Sequence, residues 1–313
     1  MRGIGRFFGF LFATGAILFV LGAAAAGMLI WGYEKDLPDY TQLRNYEPPV
    51  MTRVHAGDGS ILAEYSRERR LFLPIQAIPP LVKNAFIAAE DKNFYSHSGI
   101  DPEGIVRAAV ILIQGNRSVQ GASTITQQVA KNFLLTNERT FERKIREMLL
   151  SFRIEAAYSK DKILELYLNQ IYLGLGNYGV AAAALNYYGK SVNELTLSEA
   201  AYLAALPKAP STLHPFRNRD AAIARRNYVL DRMAADGMVK PADAEKARKE
   251  PLNVNPRFLS PNHYVAGFFA EDVRRELLDR YGEKKLYEGG LSVRTTLDPQ
   301  MQVQARKALT DGL

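Results

Sequence analysis

Apolar and polar positions along the chain fall into three regimes. From Phe7 to Gly32 no residue is charged, a longer run than the about 20 residues a bilayer-spanning helix needs. Arg2 and Arg6 precede the run and Glu34, Lys35 and Asp36 follow it. The positive-inside rule then predicts a cytoplasmic tail over 1–6, one membrane anchor over 7–32, and everything beyond it outside. The apolar core is too long for a cleaved signal peptide, and Met28-Leu29-Ile30-Trp31 is a poor cleavage site. Residues 33–53, with Pro38, Pro48 and Pro49 and no period, read as an extended linker.

In the second regime helical periods dominate. It opens with a hairpin pattern over Val54–Glu64, in which Gly57-Asp58-Gly59-Ser60 separates short apolar flanks. After Pro79-Pro80, the residues Leu81, Val82, Ala85, Phe86, Ala88 and Ala89 recur at helical spacing. Asp101-Pro102 pairs a cap with proline at the first helical position, ahead of a segment over 105–113 that is apolar nearly all round. Such a segment is either a core helix or one that dips into lipid. Thr140 can cap a helix to Tyr158, and Ser159 the next one to Leu173. Thr196-Leu197-Ser198-Glu199 is a capping box before an alanine-rich helix that Pro207 stops. Further helices are predicted over 218–237, 241–249 and 262–281, the last closed by Gly282. The third regime begins after Gly289-Gly290, where residues 291–297 are strand-like. The expected fold is mainly α.

Composition narrows the chemistry. The chain has 313 residues, 47% hydrophobic and 23% charged, which fits a largely globular protein of about two domains. With no cysteine, thiolate catalysis, disulfides and cysteine metal sites are excluded. His55, His97, His214 and His263 show no ligand spacing, which argues against zinc. The net charge of +7 suits an anionic partner: nucleic acid, phospholipid headgroups or a phosphorylated substrate.

Three blocks carry candidate chemistry. In the first, Glu90 and Asp91 end the apolar run Phe86-Ile87-Ala88-Ala89, and Phe94, Tyr95, His97 and Gly99 follow. A glutamate at a helix C-terminus against an apolar face is disfavoured as an anion, the profile of a general acid or base. An exposed Glu-Asp pair at a helix end fits that stretch equally well. The second block, residues 120–128, puts Ser123, Thr124, Thr126, Gln127 and Gln128 behind Gly121 at a helix start. Hydroxyls and amides there can hold sugar hydroxyls or phosphate oxygens, although a plain cap with a polar helix face is the simpler account. In the third, Arg143 and Glu147 lie one helical turn apart with Lys144 beside them, and Lys131 and Arg139 add cations. A departing diphosphate needs such neutralisation, while a solvated, salt-bridged helix surface is the commoner fate of the pattern.

Taken in order, E-D-K-N-F-Y-S-H-S-G, G-A-S-T-I-T-Q-Q and R-K-I-R-E over residues 90–147 resemble the glycosyltransferase domain of class A penicillin-binding proteins (family 51). The likeness continues through residues 162–169, 179–183, 187–190 and 206–210, and so covers about 50–240. It implies a lysozyme-like fold with a smaller lobe, and a peptidoglycan polymerase acting on lipid II at the bacterial inner membrane. By motif position, Glu90 would take the proton from the acceptor's 4-hydroxyl and Glu147 would serve the donor's diphosphate side. Asp91, Phe94 and His97 would shape the first block. Thr124, Gln128, Lys131, Asn132, Arg139, Arg143 and Lys144 would line the donor and diphosphate region. The implied partners are lipid II, the growing glycan chain, the membrane and cell-wall synthesis proteins. A divalent cation, Mg or Mn, is the one cofactor left open.

On this reading, 54–250 is the transferase domain and 251–313 opens an inter-domain segment of the 1A-type members. Class A proteins also carry a transpeptidase with S-x-x-K, S-x-N and K-T-G motifs. Ser159-Lys160-Asp161-Lys162, Ser191-Val192-Asn193 and Ser260-Pro261-Asn262 match the first two by coincidence, no K-T-G is present, and transpeptidation is expected to be absent. A lysozyme-like glycan-cleaving enzyme would share the glutamate but has no need of the cations beside Glu147. A non-enzymatic membrane-tethered module would not require the polar blocks to meet in one cleft. A nucleic-acid partner is disfavoured by the export topology.

Overall fold

The computed structural model describes residues 2–35, 37–44, 46, 50–66, 69–113, 123–135, 140–255 and 266–312. The first element is a continuous helix, α1 (Arg2–Lys35), and of residues 2–11, 18, 23, 25, 26, 29 and 30 only its helical backbone is described. Among the described residues, no helix is long and apolar enough to cross a membrane. The last turn of α1 docks on a later helix, α5 (Phe141–Ala157). Arg153 donates to Glu34 at 2.8 Å, and the Arg146 guanidinium lies 6.0 Å from the Tyr33 ring centre.

The hairpin expected over 54–64 is present as β1 (Thr52–His55) and β2 (Ile61–Tyr65), paired antiparallel with Val54 opposite Ala63. A two-residue strand, β3 (Arg69–Arg70), follows. The helices then run in the expected sequence. They are α2 (Pro80–Glu90), α3 (Pro102–Ile113), α4 (Ile125–Leu134), α5, and α6 (Lys160–Gln170). After β4 (Asn177–Tyr178) come α7 (Val180–Tyr188), α8 (Leu197–Ala205), α9 (Arg219–Ala235) and α10 (Pro241–Lys249). The chain continues with α11 (Gly267–Glu288), β5 (Ser292–Arg294) and α12 (Pro299–Gly312).

Local chemistry fixes most boundaries. Proline at the first position starts α2 and α10, where its missing N–H costs nothing. Thr124, Thr140, Ser159 and Thr196 cap their helices by accepting from the third backbone N–H. The linker drawn over 33–53 is structured in part, because α1 runs on to Lys35, a 3-10 turn capped by Asp39 spans Tyr40–Leu43 and β1 begins at Thr52. The start of the helix expected at 262 lies outside the described residues. Two further boundaries differ from expectation. The α6 helix stops at Gln170 rather than Leu173, because Ile171 is extended and Tyr172 bridges to Tyr178. Gly282 breaks α11 with φ 77°, but a further turn resumes beyond it and buries Leu286.

The main core packs α2, α8 and α9 together with α4, α6 and α7. Phe86, Phe94, Tyr167, Tyr187 and Tyr202 are all within 1% of complete burial, and enclosing each stabilises the fold by roughly 1.5–3 kcal/mol. A second, smaller core holds Val54, Ala56, Leu62, Ala63, Ala266, Ala270, Leu277 and Leu286. Its sheet has the order β2-β1-β5, with β5 parallel to β1 and Val54 opposite Val293. The hairpin thus shares its sheet and its core with residues beyond 265, across the boundary at 250 drawn from sequence.

Candidate active site

The site is assembled around α4. Its N-terminus is tied to the end of α2 by Asp91, a residue only 5% exposed, whose carboxylate accepts from the Ile125 backbone N–H at 2.9 Å. The same carboxylate accepts from His97 Nε2 at 2.9 Å, while His97 Nδ1 accepts from the Gly99 N–H at 3.1 Å. That pattern describes a neutral imidazole protonated on Nε2, with both nitrogens engaged. Asp91 and His97 therefore form a joint that holds the loop after Glu90 against α4. Phe94 fills the core under this loop, edge-on to Tyr95 and His97, with Lys160 Nζ 4.5 Å above its ring.

Gly99 closes the loop against α5. Its φ of +102° suits glycine, and a Cβ there would stand 3.0 Å from the Ser151 backbone. Thr124 Oγ1 donates to the Gly99 carbonyl at 2.6 Å and accepts from the Gln127 N–H. Thr124 is 2% exposed and its hydroxyl is fully occupied as a buried cap, so of the polar second block it is Gln128 that faces the glutamate. Gln128 Nε2 donates to Glu90 Oε2 at 2.8 Å. Lys131 and Asn132, three and four residues further on, share that helical face. Both are exposed, and neither side chain has a partner among the described residues.

Burial pushes the Glu90 carboxyl above the ordinary glutamate range. The Gln128 donor pulls it back, as do the positive charges of Arg225 and Lys208, while Asp91 pushes it further up. Neither Arg225 nor Lys208 was assigned a role from sequence. Lys208 is lowered by partial desolvation and by Arg225, with Glu90 acting in the opposite sense. The adjacent Arg226 holds α9 in register. It is 1% exposed and donates to Ser198 Oγ and to the carbonyls of Arg248 and Glu250 at 2.7–3.1 Å. The signal was present in the sequence, because Ala222, Arg226, Val229, Leu230 and Met233 form one helical stripe with an arginine in it. Tyr167, on α6, is a further residue given no role from sequence. Its phenol is buried, makes no hydrogen bond among the described residues, and is pushed up by burial and by the charges of Glu90 and Asp91.

On the other side of α4, Ser123 leads to the third block. Lys144 Nζ donates to Ser123 Oγ at 2.8 Å and to Glu147 Oε2 at 2.9 Å. Arg143 Nε lies 3.0 Å from Glu147 Oε1. The carboxylate is 4% exposed whereas Arg143 and Lys144 are 18% and 45% exposed, so the acid is the most enclosed member of the cluster and Lys144 the most open. Arg139 and residues 120–122 lie outside the described residues. The segment 123–128, the start of α4 and the residues just before it, thus links the two glutamates, through Gln128 to Glu90 and through Ser123 and Lys144 to Glu147.

Among the described residues no three acidic or histidine side chains converge on a point that could hold a metal ion. Glu147 already faces two cations, and this donor set does not fit a resident divalent ion.

The family profile described as Transglycosylase matches residues 58–234. The chain is 49% identical over 302 residues to penicillin-binding protein 1A of Rickettsia bellii, covering 95% of this chain and 38% of that protein. It is 46% identical to the Aquifex aeolicus protein of the same name (95% and 41% covered) and 44% identical to that of Escherichia coli (94% and 34%). The chain therefore spans about 38% of the length of the curated relatives it matches first. Among solved structures, penicillin-binding protein 1A of Haemophilus influenzae aligns with a TM-score of 0.49 at 30% identity, over 84% of this chain and 29% of that one. The match to more than half of the sequence places the chain in the transglycosylase family.

Proposed function

We propose that the chain is a peptidoglycan glycosyltransferase of lysozyme-like fold that polymerises lipid II into β-1,4-linked glycan with inversion, releasing undecaprenyl diphosphate. Support comes first from the geometry at Glu90, a half-buried carboxylate aligned by Gln128 on the helical face that also presents Lys131 and Asn132. In the reaction, Glu90 accepts the proton of the acceptor sugar's 4-hydroxyl as that oxygen bonds to the donor's anomeric carbon. The carbon–oxygen bond to the diphosphate breaks and its electron pair leaves with the diphosphate. Lys131, Arg143 and Lys144 neutralise the charge that develops there, joined by Arg139 on the reading of its motif. No step requires a metal from the protein.

The residues around Glu90 set its base strength. A raised affinity for protons makes the carboxylate a better base, while Gln128, Arg225 and Lys208 act in the opposite sense and favour its ionised form. The uncharged run over 7–32 supports an anchor in the inner membrane, with the N-terminus cytoplasmic and the catalytic part on the outer face. The apolar positions Ile105, Val106, Val110 and Ile113 on α3 are 46–86% exposed, and they support a second, shallow contact with the bilayer.

The deciding experiment incubates the purified chain with labelled lipid II and resolves the products by size. Polymer is expected from the wild type, with a 10²–10⁴-fold loss in a folded Glu90→Gln variant. Absence of polymer from the wild type, or undiminished polymer from the variant, would sink the proposal. Fragments released from preformed peptidoglycan would point to glycan cleavage instead.

A further inference from the structure

The arrangement of Glu147 beneath its cations suggests a task different from acting on the reacting atoms. Its carboxylate is almost completely enclosed, and both oxygens are directed at Arg143 and Lys144. Both cations are more exposed than the acid, Lys144 most of all at 45% against 4% for the carboxylate, so a ligand reaching this cluster has readier access to Lys144 than to Glu147. The Arg143 side chain makes no other ion pair and no hydrogen bond among the described residues. The Arg143 Nε–Glu147 Oε1 approach of 3.0 Å lacks hydrogen-bond alignment, and both atoms are buried without a hydrogen-bond partner. Lys144 is held from two sides, by Ser123 and by Glu147. The cluster thus has two positive charges around one enclosed negative charge, with Arg143 Nε unused as a hydrogen-bond donor among the described residues.

We infer that Glu147 is a built-in counter-anion that weakens the diphosphate seat formed by Arg143 and Lys144, so that the departing diphosphate is released rather than retained. This rests on the reading of that seat as the diphosphate side of a glycosyltransferase. The physical reason is simple. A polymerase must discharge a lipid diphosphate at every turnover, and a seat with unopposed cations would hold its product. A buried carboxylate behind the cations lowers their potential without occupying the space the ligand takes. Glu147 is on this account a positioning and tuning residue. Its loss should tighten anion binding, the opposite sign from that expected of a group that contacts or carries the ligand.

The test uses inorganic pyrophosphate as the probe, titrated calorimetrically at low salt into the full 313-residue chain in detergent. Glu147→Gln is expected to bind it about ten-fold more tightly than wild type, as removal of one charge close to an anion predicts. Lys144→Met should bind it more weakly, and the double variant should return near the wild-type value. In steady state, Glu147→Gln should lower kcat more than it raises KM, and added pyrophosphate should inhibit it at lower concentration. If Glu147→Gln does not fold, Glu147→Asp, which draws the carboxylate back by one methylene, should tighten binding in the same direction by a smaller factor. Unchanged or weaker binding in whichever of the two variants folds overturns the inference. If the wild type binds no pyrophosphate at all, the diphosphate seat itself is wrong, and the inference falls with it. A polymerising Glu90→Gln variant would refute the catalytic reading independently of either result.

Discussion

Removing the carboxylate of Asp91 should cost the protein more than removing Glu90 beside it, although both belong to the same short motif. In Asp91→Ala, the Ile125 N–H and the His97 Nε2–H lose their acceptor in a place where the Asp91 side chain is only 2% exposed. Hydrogen bonds to charged groups contribute roughly 1.5–3 kcal/mol each, so the two together give a loss of about 3–6 kcal/mol. A domain stable by about 5–15 kcal/mol would be left marginal. Asp91→Asn keeps one acceptor oxygen and should lose about half as much. Urea denaturation followed by circular dichroism measures both, with the midpoints compared at unchanged slope. Activity should fall in step with the folded fraction and recover at lower temperature. A stability loss under about 1 kcal/mol in Asp91→Ala, below the cost of even one such bond, would refute the idea that this carboxylate joins the loop to α4.

Glu90 predicts a pH dependence with a defined sign. Its folded-state affinity for protons is raised, so the base is lost as pH falls through a value above the ordinary 4.5, and the acid limb of the rate profile should lie there. Gln128→Leu and Lys208→Met should each move that limb further up. Because the folded state favours the protonated form, ionisation of Glu90 at neutral pH is destabilising. Glu90→Gln should therefore melt higher than wild type at pH 7, with the gap closing in acid. Arg143→Ala and Lys131→Ala should each slow polymerisation about ten-fold or more, since charge-assisted contacts contribute about 1.5–3 kcal/mol; near-normal rates in both would return these cations to the solvated surface. A chain lacking residues 1–35 should still bind lipid vesicles at low salt, and Val106→Asp with Ile113→Asp should abolish that binding.

The sequence made the helices legible because their signals are local. Caps at Thr140, Ser159 and Thr196 and the proline starts at 80 and 241 act within one turn. Glu90 was legible for the same reason, as the end of an apolar stripe. Its surroundings were less so. Arg225 and Lys208 approach it from α9 and from the turn after α8, more than 100 residues away, and no periodicity connects them with it. Thr124 shows a further limit, since a hydroxyl at a helix start reads the same whether it holds a ligand or caps the helix. Only its hydrogen bonds to Gly99 and Gln127 decide between them. The β1–β5 pairing was hidden altogether, because strand partners so far apart leave no mark on either segment.

That pairing has a consequence for how the protein is made. Residues 52–55 leave the ribosome early, but their parallel neighbour at 292–294 and the helix that covers Val54 and Leu62 emerge more than 200 residues later. Until then the hairpin carries an open strand edge and half a core, a state prone to pairing with other chains. The helical body between them, whose core joins α2 to α8 and α9, can close during that wait once α9 has emerged. Closure of the small sheet then brings these two distant segments together. Shortening the chain at 250 would leave the transferase helices intact and strand the hairpin, and the expected defect is aggregation of otherwise folded protein.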